Sequence, residues 1–224
     1  MSLRLAVLAS GTGSNAQAII DAARAGTLDA DIRLIASNRP DAGVLERAAR
    51  AGVPFVCVDH RDHETRERYD AALVAALCDS GADTVALAGY MRLLTPVFLR
   101  AFPGRVLNIH PSLLPAFPGV RGGADAQTWG VKLTGCTVHF VEEAMDSGAV
   151  IIQASVPCVA GEPLEAMMSR IHDMEHRVYP QALQWLASGR LRLEGRTVHI
   201  DQQGIALAEQ PVQALVWPPL EQGF

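Results

Sequence analysis

Val106-Leu-Asn-Ile-His-Pro-Ser-Leu-Leu-Pro115 reads as a short strand over 106–110, stopped by Pro111, which has no N–H to give to a ladder. Side chains alternate along a strand, so Asn108 and His110 share one face while Leu107 and Ile109 take the other. Two polar groups then project together at a strand end. In an open α/β sheet the carboxyl edge is where ligands bind. An amide that donates beside an imidazole that carries a proton suits a reaction whose carbonyl oxygen becomes negative. A strand end with two solvated polar side chains fits the same pattern, so the rest of the chain must decide.

Upstream, strands and helices alternate. Residues 3–9 form an apolar run broken only by Arg4, as expected of a strand covered on both faces. Residues 16–25 read as a helix ended near Gly26, 31–37 as a strand, and 42–51 as a helix stopped by Gly52. Residues 55–58 and 84–88 read as strands around a helix over 64–80. A short helix over 95–101, with Pro96 early in it, precedes the strand of Asn108. This order implies a single-domain α/β fold with a doubly wound, mostly parallel, Rossmann-like sheet and right-handed crossovers.

After Pro111 the pattern changes. Residues 115–123 are rich in proline and glycine and predict a long ordered loop. Residues 134–141 and 150–156 read as strands joined by the acidic loop Glu142-Glu-Ala-Met-Asp-Ser-Gly148, so the sheet gains mixed strands toward its C-terminal side. A long helix over 163–187 closes at Gly189, and 191–193 with 197–200 form a small hairpin around Gly195. Residues 210–224 have no clear period and read as a surface strap or a mobile tail.

Composition narrows the class. The 224 residues are 49% hydrophobic and 19% charged, which predicts a folded chain. A net charge of −5 argues against a nucleic-acid-coating surface, yet backbone N–H groups can still bind a small phosphorylated ligand. Cys57, Cys78, Cys136 and Cys158 lie far apart with no C-x-x-C pair, which predicts reduced, mostly buried thiols. No signal-peptide pattern opens the sequence and no apolar run reaches membrane-spanning length, so a soluble cytoplasmic protein is expected.

Ser10-Gly-Thr-Gly-Ser-Asn15 sits between a buried strand and a helix N-terminus, where free N–H groups and the helix dipole favour an anion. It is neither a P-loop nor a full G-x-G-x-x-G, because Ala16 stands where the third glycine would be. By itself it is as readily a tight turn as a phosphate cradle.

Read together, Ser10–Asn15, Asn108-Ile-His-Pro-Ser-Leu-Leu-Pro115 and Gly135-Cys-Thr-Val-His-Phe-Val141 followed by Asp146-Ser-Gly148 closely resemble the phosphoribosylglycinamide formyltransferases. Those are purine-biosynthesis enzymes that use 10-formyltetrahydrofolate. The resemblance runs from about Leu3 to Leu193, and Ala88-Gly-Tyr-Met-Arg-Leu-Leu94 and Glu175-His176 also match. It implies Asn108, His110 and Asp146 as the catalytic set: Asn108 and His110 would stabilise the oxyanion, and the Asp146 carboxylate would orient His110 and favour its charged form. It implies Gly13, Ser14, Asn15, Ala16 and Gln17 at the ribonucleotide phosphate, with Glu175 at the ribose or glycinamide end. It implies Arg66, Met91, Arg92, Leu93, Leu94, Asn108 and Val141 around the folate.

The implied organisation is a formyltransferase domain over 1–193, with a phosphate-binding half (1–105) and a folate and catalytic half (106–193), followed by a hairpin and tail over 194–224. The implied partners are phosphoribosylglycinamide and 10-formyltetrahydrofolate, with no metal, nucleic acid or membrane, and a homodimer is compatible with it. One departure is Arg121-Gly-Gly-Ala-Asp125, where members often carry histidine and where Arg-Gly is more like methionyl-tRNA formyltransferase.

Rivals follow from the same residues. Methionyl-tRNA formyltransferase and 10-formyltetrahydrofolate hydrolase share the Asn–His–Asp set, and a nucleotide-binding module would explain the glycine loop alone. A different class is raised by His172-Asp-Met-Glu-His176, which matches the H-x-x-E-H of zinc hydrolases, although no third ligand is evident. His139 alternates with apolar neighbours and reads as a buried, hydrogen-bonded histidine. His60 and His63 read as solvated in a charged loop, and His199 as having no partner. Arg47, Arg50 and residues 66–68 read as solvated helix faces, Arg66 alone gaining a role from the resemblance.

Overall fold

The computed structural model describes residues 2–201, 203, 215–217 and 220–223. The elements run β1 (Leu3–Leu8), α1 (Ser14–Ala25), β2 (Ala30–Ser37), α2 (Gly43–Arg50), β3 (Phe55–Cys57), α3 (Arg66–Asp79), β4 (Thr84–Leu87), α4 (Pro96–Ala101) and β5 (Val106–His110). They continue with α5 (Gly122–Trp129), β6 (Leu133–Phe140), β7 (Val150–Pro157), α6 (Leu164–Ala187), the hairpin β8 (Leu191–Glu194) and β9 (Thr197–Ile200), and β10 (Leu215–Trp217).

Eight strands make one sheet in the order β10-β7-β6-β5-β4-β1-β2-β3. From β3 to β5 all neighbours are parallel, while β6, β7 and β10 add on antiparallel. The chain winds from β1 through β2 to β3, then returns to the far side of β1 for β4. Strand order therefore reverses between β1 and β4, and a crevice opens at their carboxyl ends.

The alternation of β1 explains why its run is apolar on both faces after Arg4. Leu5 and Val7 pack with Ile19, Ile35 and Val178 on the face covered by α1 and α6, while Ala6 and Leu8 pack with Leu73, Leu77 and Phe98 on the α3 and α4 face. Gly13 in the left-handed region (φ 77) opens α1, and Gly26 (φ 76) closes it with its N–H on the Ala22 and Ala23 carbonyls. The Thr65 hydroxyl caps α3 by accepting the Arg68 N–H at 3.2 Å.

Helix α6 is bolted to the sheet by Tyr179, whose hydroxyl lies 3.0 Å from the carbonyl oxygens of both Leu87 and Leu107. Pro180 follows within the helix and removes the N–H that would have met the His176 carbonyl.

Three local expectations are corrected. The predicted loop over 115–123 ends early, because α5 begins at Gly122. His60 and His63 are half-buried, edge-on to Tyr69, and His60 Nδ1 lies 3.0 Å from the Asn38 carbonyl. His199 sits 3.3 Å from Glu194 across the hairpin. In the segment without a period, Leu215–Trp217 pairs with β7, and Glu221 is clasped by Trp185 Nε1 (2.7 Å) and Arg190 (2.5 Å). The described part of that segment is thus a strap. Its residues 210–214, 218, 219 and 224 lie outside the described residues. No described helix is long and apolar enough to cross a membrane. None of the four cysteines is in a disulfide: Cys136 and Cys158 are buried, Cys57 half-buried and Cys78 exposed.

One buried polar pair joins α1 to α6. Asn15 Nδ2 donates to Glu175 Oε2 at 2.7 Å, and Glu175 is only 3% exposed. Burial pushes its carboxyl up to about 7. A protonated Glu175 also has a hydrogen to offer Asn15 Oδ1, which is buried and has no partner among the described residues. The folded chain then keeps this proton up to about pH 7, whereas an unfolded glutamate releases it near 4.5. The stabilising contribution is full below pH 4.5, falls as pH rises toward 7, and is flat above. Urea denaturation across pH should show Glu175→Gln gaining on the parent from pH 5 to 7.5, by on the order of 3 kcal/mol. A constant difference would mean that Glu175 is ionised in the fold.

Candidate active site

The carboxyl ends of β4 and β5 open into a cleft of about 250 Å³, lined by Asn108 and His110 as well as by Leu87, Tyr90, Leu94 and Val141. Asn108 pairs in register with Leu87 of β4 on one side and His139 of β6 on the other. The acidic loop between β6 and β7 brings Asp146 to the same end, with Asp146 Oδ2 3.6 Å from His110 Nδ1. Three residues separated by up to 38 positions in sequence thus meet at one point, as predicted.

Each member is oriented by a second group. The Gly119 N–H donates to Asp146 Oδ2 at 2.7 Å, and Asp146 adopts φ 50. Gly148 lies so close to the Phe140 carbonyl that a methyl there would overlap it, which keeps the Asp146 loop tight against β6. Arg196, on the hairpin turn, donates to the Ser147 carbonyl at 2.7 Å and braces the loop from outside. His110 is 4% exposed, and its Nε2–H donates to the Phe117 carbonyl at 2.9 Å.

His139 is buried and hydrogen-bonded, as its alternation predicted, and it also belongs to the site. Burial pushes its imidazole down, so the ring is neutral. Its Nδ1 lies 2.7 Å from the Phe140 carbonyl and takes the hydrogen, which leaves Nε2 as an acceptor 3.1 Å from Asn108 Nδ2. One hydrogen of the Asn108 amide is thereby spent on His139, and the other remains for the cleft that Asn108 lines. In the sequence His139 showed only as a polar residue alternating with apolar ones inside a segment that resembles the family, with no role attached to it.

The Arg121-Gly-Gly segment gains a physical reason. A methyl on Gly122 would come within 2.8 Å of His110 Nε2, and one on Gly123 would overlap Met168. These glycines let the start of α5 close over the histidine. The preceding residues are tied to β6 and β7 by the Thr137 hydroxyl, which accepts the Leu114 N–H at 3.0 Å, and by Gln153 on the Leu114 carbonyl at 3.0 Å.

The opposite wall is the segment after β4. The Ser10 N–H donates to the Gly89 carbonyl at 3.0 Å and Ser10 Oγ accepts the Met91 N–H at 2.8 Å, which joins this wall to the glycine loop. Arg66 reaches the Leu93 carbonyl at 3.0 Å, and Arg92 lies 4.9 Å over the Tyr69 ring. Met91 and Leu93 are 60% and 52% exposed, while Leu94 is buried.

In the glycine loop, Gly13 is left-handed and its α-carbon hydrogen faces Val44, where an added Cβ would sit 2.7 Å away. Ser14, Asn15 and Ala16 occupy the first turn of α1, where N–H groups have no intrahelical acceptor, and no side chain caps them. Gln17 follows them, its N–H on the Gly13 carbonyl at 2.9 Å and its side chain on Asp21 at 2.9 Å. Arg47 is not a merely solvated residue, because its Nε donates to the Thr12 carbonyl at 2.7 Å.

The H-x-x-E-H match does not assemble as a ligand set. Glu175 turns inward to Asn15, while the His172 and His176 rings stack 6.5 Å apart. Among the described residues no three His, Cys, Asp or Glu side chains are grouped so as to hold a metal.

Comparison with known proteins agrees with this geometry. The family model described as formyl transferase matches residues 3–183. The phosphoribosylglycinamide formyltransferase of Escherichia coli K12 is 40% identical over 201 residues, covering 90% of this chain and 95% of that protein. The trifunctional purine biosynthetic protein adenosine-3 of Drosophila melanogaster is 47% identical over 188 residues, and the matched region is 83% of this chain but only 14% of that protein. The crystal structure of glycinamide ribonucleotide transformylase 1 from Symbiobacterium toebii superposes with a TM-score of 0.88 at 49% identity, covering 89% of this chain and 94% of that one. The fold, the cleft at the strand ends and these likenesses agree: the chain belongs to the formyl transferase family.

Proposed function

We infer that the protein transfers the formyl group of 10-formyltetrahydrofolate to the amine of 5'-phosphoribosylglycinamide, a step of purine biosynthesis. The observation that carries this reading is the convergence of Asn108, His110 and Asp146 on one end of a cleft whose far wall is hydrogen-bonded to an uncapped glycine loop. The first feature suits formyl transfer, and the second suits a phosphorylated acceptor.

The acceptor amine attacks the formyl carbon, forming a C–N bond and a tetrahedral oxyanion. Collapse breaks the bond to N10 of the folate, which gains a proton while the amine loses one. The second amide N–H of Asn108 remains for the oxyanion, and one such donor is typically worth about 3 kcal/mol. The His110 Nε2–H is the other donor. The Phe117 carbonyl holds it in the free enzyme, so that carbonyl and the oxyanion compete for one hydrogen. The Asp146 carboxylate faces Nδ1 and fixes the ring, as a carboxylate does behind a catalytic histidine. The backbone of residues 90–94 supplies N–H and C=O groups for the pterin, with Leu94 and Val141 as apolar walls and Arg66 and Arg92 bordering the folate. The Gly13–Ala16 turn seats the phosphate, and Glu175 faces the ribose or glycinamide end through Asn15.

Assays with one formyl donor and three acceptors test the assignment. Phosphoribosylglycinamide should be formylated, while water and charged initiator tRNA should give little or no product. Preference for water would make the enzyme a hydrolase, and preference for tRNA would make it a methionyl-tRNA formyltransferase.

Asp146→Asn should cut turnover by about a hundredfold, since it leaves the ring without its charged partner. His110→Asn should be at least as severe, and the double variant little worse than the worse single one, as for groups acting as a unit. Additive losses in steady-state rates would separate the two residues. At the other subsite, Gly13→Val meets both the positive φ and the Val44 side chain. It should weaken acceptor binding while sparing folate binding, and titration of each ligand separately measures this.

A further inference from the structure

The wall formed by residues 90–94 is held differently along its length. Toward α3 it is packed and bonded: the Tyr69 and Tyr90 hydroxyls share a hydrogen bond, and Arg66 holds the Leu93 carbonyl. Asp70 Oδ2 accepts the Thr95 N–H at 2.6 Å, and Tyr90 and Leu94 are buried in one cluster with Leu73 and Phe98. The middle of the wall lacks that backing. Met91 and Arg92 line the cleft of Asn108 and His110, and they also line a second cleft of about 600 Å³ with Ser10, Asn38 and His60. With a cleft on each side, this stretch is fixed by hydrogen bonds where its neighbours are fixed by packing.

The bond that fixes it comes from Ser10. A serine hydroxyl has one hydrogen to give and lone pairs to accept with. Asn38 Oδ1 lies 2.6 Å from Ser10 Oγ and takes the hydrogen, because an amide oxygen can only accept. A lone pair is thereby turned to the Met91 N–H, 2.8 Å away. Ser10 and Asn38 are both buried, and the Asn38 carbonyl lies 3.0 Å from His60 Nδ1. The Ser10 N–H grips the start of the wall as well, at the carbonyl of Gly89, where the chain turns left-handed (φ 75).

Resting on the reading of residues 90–94 as the pterin wall, we propose that Ser10 and Asn38 are positioning residues for the formyl donor. The Ser10 hydroxyl, aimed by Asn38, holds the Met91 peptide in the place where the pterin meets it. Neither side chain moves a proton in the reaction. Loss of the hydroxyl strands the Met91 N–H and Asn38 Oδ1 together, and the peptide is free to turn toward the second cleft. Donor binding must then restore its place first, so the cost falls on donor affinity. The chemical step, carried by Asn108, His110 and Asp146, keeps its rate once the donor is seated.

Steady-state rates of the full chain with each substrate varied in turn, together with titration by 10-formyltetrahydrofolate alone, test this. Ser10→Ala should raise the donor KM and Kd about tenfold. Its kcat and acceptor KM should stay within about twofold of the parent. Asn38→Ala should give part of the same loss, because the hydroxyl can then rotate. Asn38→Asp keeps an oxygen acceptor in place and should retain the parental donor affinity. A lower melting temperature with kcat and both KM values impaired alike, and no difference between Asn38→Ala and Asn38→Asp, would be a purely structural role and overturns the proposal. Leu93→Ala, an exposed change on the same wall, separates the remaining outcomes. If it weakens donor binding while Ser10→Ala does not, the pterin wall stands and the role of Ser10 falls. If neither variant changes donor binding, the pterin wall itself is overturned, and the proposal with it.

Discussion

Strand β5 is bonded on its two sides by different rules, parallel to β4 and antiparallel to β6, and the site depends on that double registry. On the parallel side it sets Asn108 level with the last residue of β4, so the Tyr90–Leu94 wall begins where the amide ends. On the antiparallel side it sets Asn108 opposite His139 and His110 opposite Thr137. A slip of one residue would turn every one of these side chains to the other face. Pro111 helps to prevent it by ending the ladder at His110. Strand β6, running antiparallel, ends beside Val106, and the short loop that follows folds back to bring Asp146 beside His110 and His139.

Much of this was legible in the chain itself, for identifiable reasons. Strands buried on both faces have no alternation to obscure them, so β1 and β4 read as apolar runs, and α1 and α6 carried glycine or proline at their ends. The position of Asn108 and His110 followed from period two alone. Helix α5 was hidden because it opens with two glycines, a poor start by propensity. Packing selected them, since larger residues would collide with His110 and Met168. The share of His139 in the site was hidden because alternation locates a side chain on a face but says nothing of which neighbour it bonds. The likeness to known formyltransferases supplied roles that no periodicity contains.

Electrostatics in this acidic chain are local. A net charge of −5 says nothing of single turns: at the start of α1 the uncapped N–H groups, with the Arg47 guanidinium on the Thr12 carbonyl, make a locally positive spot whatever the overall field. The same economy governs the buried acids. Glu175 escapes the cost of burial by keeping a proton, whereas Asp146, largely buried at the mouth of the cleft, is met by the Gly119 N–H and faces the His110 imidazole.

Strand β10 bears on how the molecule behaves in company. Strand β7 has eight residues, six of them Val, Ile, Ala or Pro, and would otherwise present an open row of amides at the border of the sheet. The pairing of Leu215–Trp217 with Gln153–Ser155 fills the middle of that row, and Glu221, clasped by Trp185 and Arg190, holds the covering segment in place. At the opposite border β3 is only three residues long and offers little to pair with. The final segment therefore acts against self-association: without it, the ladder of β7 would be a template for a second chain, and colloidal behaviour would suffer before catalysis did.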